Sequence, residues 1–363
     1  MAAPATCQRI PVSLVSGFLG SGKTTLIVAL LRQPRMQGAA VVVNEFGEVG
    51  IDDAIFADAI GSDDVALLAN GCLCCAAGDD LARTVWSLTR REPAPPRRIV
   101  IETSGLADPA PALARLIADP RLRQSTRLDS LVVTIDAVNG MRNLDEQPIA
   151  MRQCAVADRR VVTKTDLAGP EAAAALAERL FALNPGASVT QANFGAVEAE
   201  ALFGAALFDA DSGRADLDRW LGLDRYRANP CGHEDHSTHD AEHGDAHDHS
   251  AACWLVEEER PVDWALLSPL LGDIVARHGD SLLRLKGVIW TAGDERPLAI
   301  HGVQRVYHAP VRLGRWTRPP KTSIVAIGDE GAAPAIASIE KALARAAVSE
   351  LSARPSAYEG AEA

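Results

Sequence analysis

The apolar residues of this 363-residue chain fall into short, nearly continuous runs separated by stretches of helical period. Residues 10–16 (IPVSLVS) read as a buried strand, followed by a glycine-rich turn and a helix from about Thr24 to Leu31. Further strands are predicted at 39–43 (AAVVV), 99–101 (IVI), 130–136 (SLVVTID) and 158–163 (DRRVVT), with helices at 79–90, 110–118 and 171–183. Runs that are apolar on both faces and alternate with helices predict a mostly parallel sheet covered on both sides, hence an α/β domain over residues 8–210. The pattern breaks at 226–252 (YRANPCGHEDHSTHDAEHGDAHDHSAA), a polar, low-complexity stretch that reads as a mobile linker. Beyond it, a strand at 253–258, a helix at 263–277 and strands at 282–290, 297–300, 303–309 and 322–327 predict a smaller α+β domain over 253–330. Residues 331–363 read as a helical tail, Ala-rich over 332–347 and frayed over its last dozen residues.

Composition changes this picture little. Apolar residues make up 47% of the chain and charged residues 23%, ordinary globular values, but aromatics are only 4%, so the core must be built from Ala, Val, Leu and Ile. The formal charge of −12 argues against nucleic acid and anionic membranes as partners and suits cations as cargo. The opening MAAPATCQRIPV has no separate apolar stretch of the secretory kind, and no run approaches the ~20 residues that span a bilayer. The expected location is therefore the cytoplasm.

The candidate chemistry begins at GFLGSGKTT, residues 17–25. The pattern G-x-x-x-x-G-K-[ST] between a strand and a helix is a P-loop. Gly17, Gly20 and Gly22 let backbone N–H groups turn toward phosphates, Lys23 reaches the terminal phosphates, and the Thr24 hydroxyl is a ligand for Mg²⁺. Ser21 and Thr25 complete the phosphate-binding set. Strand 99–101 runs into Glu102-Thr103-Ser104-Gly105, which puts a carboxylate at the carboxyl end of a sheet strand, beside the P-loop. Glu102 there can bind Mg²⁺ through water or orient an attacking water, and Gly105 can let the backbone sense the γ-phosphate; the alternative is a plain helix cap from Thr103 or Ser104. Strand 158–163 ends in Thr163-Lys164-Thr165-Asp166, the N/T-K-x-D form in which the Asp accepts hydrogen bonds from guanine N1–H and N2–H₂ while the Lys stem covers the base. Adenine lacks those donors, so the expected nucleotide is GTP.

Cys72, Cys74 and Cys75 form a C-x-C-C cluster. Three thiolates this close suit a soft metal such as Zn²⁺, with Co²⁺ or Ni²⁺ fitting similar ligands, and the missing fourth ligand fits an open site better than a closed structural one. Buried inert thiols and redox sensing are the other readings. Cys7, Cys154, Cys231 and Cys253 are dispersed and read as structural. Between strand 39–43 and the cysteines lies NEFGEVGID, residues 44–52, whose glycines and carboxylates read as a cation-friendly switch loop. Six of the nine histidines, His233, His236, His239, His243, His247 and His249, lie in the linker, as a metal reservoir or as mere compositional bias. His278, His301 and His308 read as surface or packing residues.

GFLGSGKTT, NEFGEVGID, NGCLCC, ETSGLADP and TKTD, in this order, resemble the CobW-type P-loop GTPases, and LLRLKGVIW and HGVQRVYH resemble that family's C-terminal domain. The resemblance spans most of residues 10–330 and implies a GTP-hydrolysing metallochaperone that delivers Zn²⁺, Co²⁺ or another metal to client metalloproteins. It implies Lys23, Asp52 and Glu102 as catalytic residues, Thr24 and Asp52 at Mg²⁺, Lys164 and Asp166 at guanine, and Cys72, Cys74 and Cys75 on the transferable metal with Glu48 as accessory ligand. A regulatory or metal-sensing GTPase with a structural zinc and no metal transfer is the alternative. Two positions depart from the family pattern. Val43 stands where some members carry a Glu before the switch, and Thr163 opens the guanine motif in place of Asn.

Overall fold

The computed structural model describes residues 9–43, 65–67, 78–203, 221–228, 251–307, 309–313 and 319–348. Among the described residues the chain forms two compact units, 9–203 and 221–228 with 253–348. The first is built on strands β1 (Ile10–Ser16), β2 (Ala39–Val43), β3 (Val65–Leu67), β4 (Arg98–Glu102), β5 (Thr126–Asp136), β6 (Arg159–Thr163) and β7 (Ser188–Ala192). Their order in the sheet is β3-β2-β4-β1-β5-β6-β7, and all pairings are parallel. Apart from Ser13 and Ser16, β1 from Val12 on and all of β2 are apolar and buried, as a strand covered on both faces requires.

The helices of this unit include α1 (Lys23–Leu31), α2 (Gly78–Thr89), α3 (Pro109–Ala118), α4 (Pro148–Val156) and α5 (Pro170–Leu183). Helix α1 lays Leu26, Ile27, Leu30 and Leu31 on Val15, Val41, Val100, Val132 and Val161, a core of aliphatic side chains as the scarcity of aromatics predicts. The central strand β1 lies between β4 and β5, so the chain leaves it toward one edge and later returns to the other side. The loop after β1 therefore sits where the winding reverses, the place at which open α/β sheets bind ligands. Register brings the strand ends level: Val15 pairs with Glu102, Ser16 with Val133, and Asp136 with Thr163.

The second unit carries β8 (Ala251–Glu258), β9 (Leu282–Ile289), β10 (Leu298–Val303), β11 (Val306–Tyr307), β12 (Val311–Arg312) and β13 (Thr322–Asp329), in the order β11-β10-β9-β13-β8, with β12 on β10. Helices α6 (Trp264–His278) and α7 (Ala333–Ala346) bury Leu267, Leu271, Ile274, Ile336, Ile339 and Leu343 against Leu285, Ile300 and Ile324 of the sheet. The helix expected over 332–347 is thus present as α7, and it packs into this core rather than standing apart as a tail. The expected linker start at 226 is displaced as well. Residues Leu223–Ala228 form a helix whose Leu223 and Tyr226 are buried and whose Arg227 pairs with Glu257 at 2.7 Å. The expected break between strands 297–300 and 303–309 is absent. Pairing runs unbroken from Leu298 to Val303, and the turn falls at Gln304, with φ of 47°. No described helix is long and apolar enough to cross a membrane.

Candidate functional site

The P-loop takes the form that its glycines dictate. Gly17, Gly20 and Gly22 have φ of 139°, 69° and 90°, values that a side chain makes costly. At Gly17 space forbids one as well, since a Cβ would lie 2.4 Å from Thr134 O and Oγ1. Lys23 is buried, and its Nζ donates to Gly17 O at 3.1 Å and Phe18 O at 3.4 Å, so the ammonium lies over the loop it is expected to serve. Ser21 turns its hydroxyl inward, 2.7 Å from Thr134 Oγ1, while Thr25 is exposed. The N-terminus of α1 adds the positive end of its dipole.

Glu102 closes the site from β4. Its carboxylate is buried, and its Oε1 accepts the Thr24 hydroxyl at 2.9 Å. A hydroxyl and a carboxylate in contact at the mouth of a P-loop are the hard oxygen donors that Mg²⁺ takes, so these two residues fit the ion the motif implies. The following segment is interlocked with the P-loop. Thr103 Oγ1 donates to Ser16 Oγ at 2.9 Å, and a Cβ on Gly105 would lie 2.8 Å from Leu19 N. Gly105 is therefore a glycine because of its approach to the P-loop backbone, whatever it senses of a phosphate. From beneath, Gln153 of α4 donates to Gly105 O at 3.2 Å and Ala107 O at 2.9 Å.

The Thr163–Asp166 segment reaches the same loop. Thr163 Oγ1 donates to Ser21 O at 2.8 Å, so the Thr that replaces Asn ties the strand end to the P-loop. Lys164, at φ of 56°, spans from Gly20 O at 2.8 Å to Asp136 Oδ2 at 2.9 Å. Burial raises the Asp136 pKa, but hydrogen bonds from Lys164, Asn139 and the Val138 amide outweigh it and hold the carboxyl below its ordinary value. Asp166 is exposed in the first turn of the helix Thr165–Ala168. Thr165 Oγ1 in turn donates to Asn193 Oδ1 at 2.5 Å, which links the segment to the loop after β7.

The structure thus gathers Gly17, Gly20, Ser21, Gly22, Lys23, Thr24, Glu102, Gly105, Thr163 and Lys164 into one linked group at the carboxyl edge of the sheet. Glu48, Asp52, Cys72, Cys74, Cys75, His233, His236, His239, His243, His247 and His249 lie outside the described residues. Val43, which stands where some family members carry Glu, is the buried last residue of β2. Among the described residues, no group of three or more His, Cys, Asp or Glu could hold a metal. Asp136, Gln153, Asn193 and Phe194 were not singled out from the sequence. Asp136 alone carried a signal, as an acidic residue ending a predicted strand in the way Glu102 does.

Known proteins match this chain over most of its length. Residues 11–191 match the family model for the CobW/HypB/UreG nucleotide-binding domain, and residues 251–347 that for the C-terminal domain of the cobalamin synthesis protein cobW. The zinc chaperone YjiA of Escherichia coli is 31% identical over 88% of this chain and 94% of its own. The zinc chaperone CobW of a Sinorhizobium species is 31% identical over 81% and 85%. The crystal structure of Zn(II)-bound YjiA GTPase from E. coli superposes with a TM-score of 0.63 at 28% identity, covering 94% of this chain and all of that one. Two domain models in tandem and relatives matched almost end to end place the P-loop, the Glu102 segment and the antiparallel second unit in one lineage: the chain belongs to the CobW/HypB/UreG family.

Proposed function

We propose that this chain, a P-loop GTPase of the CobW family, uses GTP hydrolysis to hand a transition metal, zinc first, from Cys72, Cys74 and Cys75 to client metalloproteins. The observation that carries the reading is the interlock of the Glu102–Gly105 segment with the P-loop, through Thr24, Ser16 and Leu19. In this reading a segment packed this tightly against phosphate-binding backbone registers whether a γ-phosphate is present. The sequence sets both NEFGEVGID and the cysteines between that P-loop and Glu102, so one change of nucleotide state has a route to the metal ligands. The naming of two relatives as zinc chaperones supports zinc as the cargo.

In this reading Lys23 leaves the carbonyls of Gly17 and Phe18 to meet the terminal phosphates, and Thr24 and Glu102 hold Mg²⁺ with Asp52. The chemistry Mg²⁺ supplies there is neutralisation of charge on the phosphate oxygens. Glu102 also orients the attacking water, Lys164 keeps the guanine side tied to the P-loop, and Asp166 reads the base edge. The histidine-rich stretch 226–252 feeds metal to the cysteines. Coupling is reciprocal, so if metal release follows hydrolysis, GTP must tighten metal binding.

The test is anaerobic metal competition against a chelator on the full chain with Mg²⁺–GTP, with GDP and without nucleotide, with Cys74→Ala as control. Tighter binding with GTP, lost in Cys74→Ala, is expected. Equal affinity in all three states sinks the proposal, and a zinc that no chelator removes before or after hydrolysis favours the regulatory GTPase instead.

A further inference from the structure

Phe194 has 85% of its surface in solvent, the most of any large apolar side chain among the described residues. It also has a left-handed backbone, with φ of 52°, which a residue with a Cβ adopts only under constraint. Both neighbours supply that constraint. Asn193 is bonded to Thr165 of the Thr163–Asp166 segment at 2.5 Å. Gly195 sits against the P-loop helix so closely that a Cβ there would lie 2.9 Å from Thr25 O and Ala29 Cβ. The loop is pinned to the base-reading segment on one side and to the phosphate-binding helix on the other. Between the pins it presents a phenyl ring to water, where the ring gains nothing from burial.

We propose that Phe194 stacks on the face of the nucleotide base, a reading that rests on Asp166 being the guanine-edge reader. The two residues divide the work by geometry. A carboxylate accepts hydrogen bonds from the edge of guanine and so selects it. A phenyl ring meets the flat face, which every base has, and adds affinity without selecting. Nucleotide binding then covers the exposed ring and makes use of the strained backbone that holds it out.

The experiment measures GDP and ADP affinities of the full chain for wild type, Phe194→Ala, Phe194→Trp and Asp166→Ala. Alanine keeps the Cβ, so the left-handed position costs the same and folding is not at issue. Phe194→Ala should bind GDP on the order of tenfold more weakly, with its ratio of GDP to ADP affinity unchanged. Phe194→Trp should recover the affinity and show a quench of indole fluorescence on GDP binding beyond that of the native tryptophans. GDP affinity of Phe194→Ala within twofold of wild type, or a loss of guanine preference rather than of affinity, overturns the stacking role. Asp166→Ala separates the two ideas: if it loses guanine preference while Phe194→Ala binds normally, the edge reading stands and only the stacking falls.

Discussion

The interlock of Gly105 with the P-loop predicts the result of a single added methyl group. Gly105 is buried and has no left-handed φ, so Gly105→Ala acts by sterics alone. The new Cβ would lie 2.8 Å from both Leu19 N and Leu19 Cδ2 and 3.0 Å from Leu19 Cα. Carbon contacts settle near about 3.5 Å, so the Glu102–Gly105 segment and the P-loop must separate by roughly 0.7 Å. Overpacking of this kind costs about 1–3 kcal/mol. At about 2–4 °C per kcal/mol for a domain of this size, the melting temperature should fall by several degrees. The same displacement carries Glu102 away from Thr24. Because a 1 Å misplacement can cost about 100-fold in rate, GTP turnover should drop on the order of tenfold. GDP affinity should stay within a few-fold, since Lys23 and Asp166, the proposed phosphate and base contacts, are untouched. Thermal melts, single-turnover GTP hydrolysis and GDP titration measure the three quantities. The companion variant Leu19→Ala removes the Cδ2 obstacle but leaves the amide nitrogen at 2.8 Å, so the double variant should recover little. A Gly105→Ala protein with wild-type melting and turnover, or a double variant fully restored, would show that backbone approach is not what requires glycine here.

Three further outcomes follow from buried polar groups around the same sheet. Gln153→Leu removes the donors to Gly105 O and Ala107 O, and should cost about 1–3 kcal/mol in urea denaturation and slow hydrolysis; normal values of both would mean that the segment is held without it. Arg160→Met leaves the carbonyls of Leu180, Asn184 and Ala187 at the end of α5 without their guanidinium, and a loss of about 3 kcal/mol or more is expected in the same assay, with a loss below 1 kcal/mol counting against it. Cys154 is a free, fully buried thiol whose pKa burial pushes up to about 12 against the opposing charge of Arg160. Its unfolded pKa lies near about 8.5, so the protonated thiol contributes stability that is complete below that pH and lost as pH rises toward 12. Between pH 9 and 11, stability should therefore decline less steeply in Cys154→Ala than in wild type, and parallel slopes would refute the assignment.

What could be read in advance divides by how far apart in sequence the cooperating residues lie. Strands at 10–16 and 39–43 were legible because burial on both faces leaves an unbroken apolar run. Strand β5 was foreseen only from residue 130, though it begins at Thr126, because Asp129 breaks the run; that carboxylate is fully buried, paired with Arg98 and Ser13, and so looks like a loop residue while lying inside the sheet. Strand β7 escaped for the opposite reason. At the sheet edge it is half-exposed, and SVTQA has too few apolar positions to register. Helix α4 was hidden by Gln153, a polar residue whose donors are taken up by carbonyls more than 45 positions away. The site follows the same rule. The P-loop, Glu102–Gly105 and Thr163–Asp166 are contiguous, and their chemistry is written in adjacent letters. What joins them is not: Thr24 to Glu102, Thr163 to Ser21, Lys164 to Gly20 and Asp136, and Thr165 to Asn193 are contacts between strand ends that only the sheet order brings level. Motifs therefore announce which ligand a site takes. The residues that make the motifs act as one unit, Asp136, Gln153 and Asn193 among them, become visible only once β1 lies between β4 and β5.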